Sequence, residues 1–295
     1  GNDECAVAFM KTVTAAGLRI PQDLSVVGFD GIELSGRGNG VFVSRLGELE
    51  AAHAAGVVMP SAVAHVDYFI GDFDPERRRG AIEELKDLLG VVAAAGGNGF
   101  VTPHAFGLFS RHLPPFTPPR SDEDSRRLLL EALDEVAAHA AGLGVTAYLE
   151  PLNRFEDFVV NTLADASWYV DEIGSPGLAV VADTWHMSIE ESDTGAAIRA
   201  AGSRIGHVQL GDSNRLEPGA GHYDWDDTLD ALDDIGYEGW LAMECGLSGP
   251  AREVLADAPL LERAGLRPPA LVALTRAAAA LRATVPSCAS WKELV

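Results

Sequence analysis

Basic residues are scarce in this sequence. Against 44 Asp and Glu stand only 22 Lys and Arg, a formal net charge of −22. A surface that tracks nucleic-acid phosphates or anionic lipid must be basic, so this balance argues against both partners. No apolar run reaches the ~18 residues that a membrane span needs, and no basic-plus-apolar signal segment lies at Gly1. Cysteine is rare too. Cys5, Cys245 and Cys288 are far apart and odd in number. They imply neither a disulfide framework nor a CxxC site, and a reducing cytoplasm is the expected setting. Low-complexity linkers are missing, as is a glycine-rich phosphate cradle. The prolines cluster most visibly at LPPFTPPRS (113–121), which reads as a long loop.

What is present is 295 residues, 47% of them hydrophobic, enough for one large α/β domain or two small ones. Strand-like runs fall at 24–34, 57–63 (interrupted by Pro60), 98–104, 145–150, 178–183, 205–210 and 239–244. Helical patterns fall at 4–17, 45–56, 75–97, 121–144, 163–173, 193–201 and 226–235, with a last helix beyond 247. Asp74-Pro75 is a start signal, Gly144 a stop, and SGRGNG (35–40) reads as a flexible loop. Strand–helix alternation throughout predicts a parallel sheet. A closed barrel of this kind needs eight strands. Seven are counted and the chain opens on a helix, so the expected fold is an α/β TIM (β/α)8-type barrel lacking its own first strand.

Four oxygen-bearing side chains stand at the ends of consecutive strand runs: Glu150, Asp183, Gln209 and Glu244. Each is about one strand–helix unit, ~30 residues, from the next. In an α/β barrel that end collects catalytic side chains. A lone glutamate there would be ordinary strand capping. Four donors in register read instead as a metal site. Three carboxylates and one amide oxygen are hard donors, which suit Mn²⁺ or Mg²⁺ better than Zn²⁺.

From about Gly28 to Gly249 the motifs GFDGIELSGR, LEPLNRFED, DTWHMSIEE, GHVQLGDSNRLEPGAGHYDW and GYEGWLAMEC follow one another. In that order they resemble the sugar isomerase/epimerase group with a xylose-isomerase-like barrel, and within it the ketose 3-epimerases of the D-tagatose 3-epimerase type. The resemblance implies a small sugar as substrate, a divalent metal and a homo-oligomer. It implies that Glu150 and Glu244 double as acid and base, moving the proton beside the C2 carbonyl from one face of a ketose to the other through an enediolate. It assigns substrate contacts to Glu156, His186 and Arg215. The third metal ligand of the 3-epimerases is usually histidine, whereas this sequence has Gln209, as do some hydroxypyruvate-isomerase-like relatives. An aldose–ketose or hydroxypyruvate-type isomerase, which needs one base, is therefore the alternative activity.

Residues 1–30 resemble something else, a fragment of the sugar-sensing domain of lactose-repressor-type regulators, without its helix-turn-helix. The expected organisation is thus a regulator-like segment (1–30), a barrel (28–265) and a helical tail (266–295). A catalytically impaired chimeric fragment is the third reading. Around the site, His207 is expected inward of Gln209 as a hydrogen-bonded core histidine. His207 and Asp212 are the next ligand candidates. Glu33 is expected at the cavity mouth, as a substrate contact or polar lining. Trp185 is expected as a sugar wall or plain core, and His65 and His104 are weaker candidates for pocket lining.

Overall fold

A computed structural model describes residues 33–54 and 57–246. The regulator-like segment 1–30, the tail 266–295 and the helices expected at 4–17 and beyond 247 lie outside the described residues. So does the expected first strand up to residue 32. Among the described residues seven parallel strands pair in chain order. They are β1 (Leu34–Arg37), β2 (Ser61–His65), β3 (Gly99–Pro103), β4 (Thr146–Glu150), β5 (Leu178–Asp183), β6 (Ile205–Leu210) and β7 (Leu241–Met243). Between them run α1 (Val41–Ser44), α2 (Leu46–Ala54), α3 (Pro75–Ala94), α4 (Asp122–Leu143), α5 (Leu163–Ile173), α6 (Thr184–Glu190), α7 (Thr194–Ala201) and α8 (Trp225–Asp234).

The long helices start and stop where their sequences say. Asp74 accepts the N–H groups of Glu76 and Arg77, and Pro75 fills the first helical position of α3. Ser121 caps α4, which ends on Gly144 in the left-handed conformation. Thr162 and Asp165 form a reciprocal capping box on α5. None of the described helices is long and apolar enough to cross a membrane.

Strand side chains alternate between faces. Phe100, Ala147, Leu149, Val180, Ala182, Val208 and Leu210 point to the helices and join one core with residues such as Leu89, Leu133, Ile198 and Leu232. Their neighbours Val101, Tyr148 and Val181 form a smaller inner cluster. Glu33, just before β1, hydrogen-bonds to His207 and Gln209 on β6. The sheet is therefore curled until its first strand faces its sixth, the curvature of a TIM-type barrel.

Strand structure extends past the expected end of the first run at residue 34, and β2 begins later than expected. SGRGNG is not all loop: Leu34–Arg37 pairs with Ala62–His65. Glycine at 36 serves close approach, because a Cβ there would collide with the Phe100 ring. Pro60 does not interrupt β2 but precedes it, since the strand begins at Ser61. Gly36→Ala is expected to cost about 1–3 kcal/mol through overpacking. An unchanged urea midpoint would show instead that Phe100 yields.

Two local features set the upper rim. The short helix α6, absent from the expected elements, starts directly on Asp183, whose side chain accepts the N–H groups of Trp185 and His186. Between β5 and β6 the register slips: Val180 pairs with Ile205, but Val181 pairs with His207. Gly206 is the extra residue of this bulge. Beyond it Asp183 lies level with Gln209.

Candidate active site

The residues expected to form the site lie at the carboxyl ends of β4 to β7. Glu150 ends β4 beside Pro103 of β3, and Asp183 ends β5. Glu244 follows β7, its N–H donating to the Leu210 carbonyl at 3.0 Å. Arg215 joins two of these groups. Its guanidinium donates to Asp183 Oδ2 at 2.7 Å and lies 2.9 Å from Glu244 Oε1. It rests 4.4 Å above the Trp185 ring, so Trp185 is a cation–π platform for this arginine. His186 Nε2 lies 3.7 Å from both Glu150 Oε1 and Asp183 Oδ2. Among the described residues, Glu150, Asp183 and His186 present ligand-type atoms all within 4.8 Å of one another.

Proximity does not make His186 a metal donor. Its Nδ1 accepts the Asn153 backbone N–H at 2.9 Å. A backbone amide is an unambiguous donor, so the single proton of the neutral ring sits on Nε2. Burial pushes the His186 pKa down to about 4, keeping the ring neutral near pH 7. His186 therefore turns an N–H, not a lone pair, toward the carboxylates, which suits it to donate to an oxygen of a bound molecule.

Gln209 offers the opposite. Its Nε2 donates to Glu33 Oε2 at 3.1 Å, while its fully buried Oε1 has no partner. Glu244 Oε2 is likewise buried without one. Unsatisfied buried acceptors are costly. The structure brings Glu150 and Asp183 together, while Glu244 is tied to Asp183 through Arg215 and is not within 4.8 Å of both. Three carboxylates and an unpartnered amide oxygen are still the donor chemistry of a hard divalent ion, and such an ion would satisfy the two orphaned oxygens.

The carboxyl groups differ in character. Glu150 is held well above the usual carboxylate range, by burial first and then by the charges of Glu244 and Asp183. Glu244 is pushed up to about 8, again by burial and then by Asp183. For Asp183 burial acts in the same upward direction, but His186, Arg215 and the Trp185 N–H outweigh it, and its pKa is lowered. Glu156 is raised by burial. It accepts the Asn153 Nδ2–H at 2.9 Å and lies 3.8 Å from His186 Nδ1.

Arg215 adopts a left-handed φ of 59°. Its loop is organised by Asp212, whose carboxylate accepts the N–H groups of Ser213, Gly219 and Tyr223 and the indole N–H of Trp225. With both oxygens so engaged, Asp212 is a loop anchor rather than a ligand. His207 is the core histidine expected, its Nε2 2.8 Å from Glu33 Oε1 and its ring stacked on Tyr148.

Glu33 departs from expectation. It is 1% exposed and bonded to Ser61, His207 and Gln209, not placed at the mouth. Because β1 starts at Leu34, Glu33 precedes a strand instead of ending one, and so lies beneath the rim. His104 pairs with Asp157 at 2.8 Å, both fully buried, and His65 bonds to Ser35. Asn153 went unnoticed in the sequence, although it orients both His186 and Glu156. Its signal was the Asx turn it forms with the Phe155 N–H inside LNRFE.

Residues 21–263 match the family model described as xylose isomerase-like TIM barrel. The chain is similar to 3-dehydro-D-guloside 4-epimerase of Escherichia coli K12, 36% identical over 219 residues, which is 74% of this chain and 82% of that protein. It is 38% identical to D-psicose 3-epimerase of Enterocloster bolteae over 176 residues, 58% of this chain and 56% of the relative. The crystal structure of E. coli 3-keto-D-glucoside 4-epimerase superposes with a TM-score of 0.72 at 33% identity, covering 84% of this chain and 89% of that one. These relatives are sugar epimerases, enzymes of the isomerase class.

Proposed function

The chain belongs to the xylose isomerase-like TIM barrel family, and from that premise we propose that it is a divalent-metal-dependent sugar epimerase, inverting a carbon next to a ketone. One observation carries the reading. Arg215 ties Glu244, part-buried just after β7, to Asp183 on β5, whose charge also acts on Glu150 at the buried end of β4, and both glutamates are raised above the usual carboxylate range.

Inversion beside a carbonyl needs one base and one acid on opposite faces of the substrate. One glutamate takes the proton from carbon. The C–H electron pair becomes a C=C bond while the carbonyl π pair moves onto oxygen. The other glutamate, protonated, returns a proton to the opposite face, and the carbonyl reforms. After one turnover the first carboxyl holds the proton and the second is ionised, so the pair must exchange with solvent or run in reverse. A divalent cation at Glu150, Asp183, Gln209 and Glu244 would supply Lewis acidity to the developing oxyanion, and the all-oxygen donor set favours Mn²⁺ or Mg²⁺. In this reading His186 Nε2–H and Arg215 bind substrate oxygens and Glu156 accepts from a hydroxyl, roles that the neutral His186 ring and the Arg215 position beside Asp183 and Glu244 support.

Which carbon is inverted depends on where the ketone lies. Epimerisation at C3 of a ketose is the reading drawn from the motifs. The second reading is C4 of a 3-oxo-glycoside, and it is favoured by one fact: the 4-epimerase is matched over 82% of its length, the psicose enzyme over 56%. The chemistry is shared, because C3 flanks a 2-ketone as C4 flanks a 3-ketone.

The test uses chelator-stripped protein reloaded with Mn²⁺ in D₂O, given D-fructose, D-tagatose, D-ribulose and a methyl 3-oxo-glucoside. Two bases predict that product gains one deuterium at the inverted carbon while early unreacted substrate gains none. Label at C3 of a ketose supports the first reading and label at C4 of the glycoside the second. Transfer to C1 with an aldose product means an isomerase. No exchange with any of these sugars and either metal sinks the proposal.

A further inference from the structure

Beneath the rim lies a buried network that the proton chemistry does not use. Glu33 Oε1 accepts the Ser61 hydroxyl at 2.8 Å and lies 2.8 Å from His207 Nε2. Its other oxygen, Oε2, accepts the Gln209 Nε2–H at 3.1 Å. Glu33, Ser61, His207 and Gln209 are each no more than 1% exposed, so water does not compete for these bonds. An amide has two chemically opposite ends and one carbon between them. Once Nε2 is held by a carboxylate, Oε1 must turn the other way, and that oxygen is the one left without a partner.

We infer that Glu33 is a positioning residue for the metal site: it fixes the Gln209 amide so that oxygen, not nitrogen, is offered to a divalent cation. This rests on the metal-dependent reading above. A carboxylate at position 209 would need no such guide, since its two oxygens are equivalent acceptors. An amide does need one, because its –NH₂ end cannot ligate. Ser61 and His207 in turn hold Glu33, and Tyr148 packs on the His207 ring.

Two variants and their combination test this by Mn²⁺ titration calorimetry of the stripped protein, with circular dichroism to verify folding. Glu33→Gln removes the obligate acceptor, since the new amide can face Gln209 with either end. Mn²⁺ affinity is expected to fall about 10-fold or more, the usual loss when an outer partner of a metal ligand is removed. In Gln209→Glu the ligand no longer needs orienting, and the Glu33 carboxylate now opposes it. There Glu33→Gln is expected to raise Mn²⁺ affinity, reversing the sign. A merely structural Glu33 would weaken binding in both backgrounds. Should Glu33→Gln alone fail to fold, the comparison of Gln209→Glu with the double variant still reads the sign. Unchanged affinity in a folded Glu33→Gln protein, or a loss of the same sign in both backgrounds, overturns the inference. Wild-type protein that binds no Mn²⁺ removes the metal reading itself, and the inference with it.

Discussion

Glu244→Gln is expected to lower turnover about a hundred- to ten-thousand-fold, the usual contribution of a positioned acid or base. The amide keeps an oxygen that could still face a cation, so the loss falls on proton transfer. It also keeps the shape that Arg215 packs against, though the ion pair at 2.9 Å becomes a weaker contact. One further outcome separates two bases from one. Glu150 survives in this variant, so it should still exchange the carbon-bound hydrogen of one epimer with D₂O, without inverting it. The opposite epimer should lose exchange altogether, and Glu150→Gln should show the mirror pattern. Wild-type turnover in Glu244→Gln would mean that another group delivers the second proton.

Removing the metal should hurt the protein more in alkaline than in neutral solution. Burial and the neighbouring Asp183 raise the folded Glu244 carboxyl to about 8, from an ordinary value of 4.5. Glu150 moves in the same direction. Between those values the folded state holds protons that the unfolded chain has released. The stability they contribute is full below 4.5 and is lost as pH rises through 8. Metal-free protein should therefore melt at a lower temperature at pH 9 than at pH 6.5. Mn²⁺ pairs with the ionised carboxylates, so it should bind more tightly at the higher pH and release protons on binding at the lower one. At a hundred times its dissociation constant the ion adds about 2.7 kcal/mol, and the thermal shift at fixed Mn²⁺ should widen with pH. A shift that is flat or narrows from pH 6.5 to pH 9 would show that these carboxyls do not ionise on loading.

Much of this was legible in the sequence, because strand ends and helix caps are local signals. Leu163–Ile173 and the strands ending at Glu150 and Asp183 follow directly from apolar periodicity and from Thr, Asp and Gly at the boundaries. The row Glu150, Asp183, Gln209, Glu244 was visible as unit spacing. Other features depend on neighbours distant in the chain. Gly36 looked like a loop residue because nothing local announces the Phe100 ring that needs its space. The helix on Asp183 was missed because α6, at seven residues, is too short for a periodic signal. Glu33 lies deeper than expected because β1 begins at Leu34, so Glu33 precedes this strand, whereas the β-branched run SVVGF implied that it ends one. The tautomer of His186, set by the Asn153 amide, exists only in three dimensions.

The Glu33–Gln209 hydrogen bond spans 176 residues, whereas the acidic row and Gln209 come from the successive strands β4 to β7. Folding can gather Glu150, Asp183 and Glu244 by successive local pairing, but the long bond must wait until the ribbon has rolled round on itself. Long-range closures carry the larger entropic cost and form late. Gathering the donors and aiming the amide are thus separate events, and a chain halted between them would hold the acidic row with its fourth oxygen free to swing.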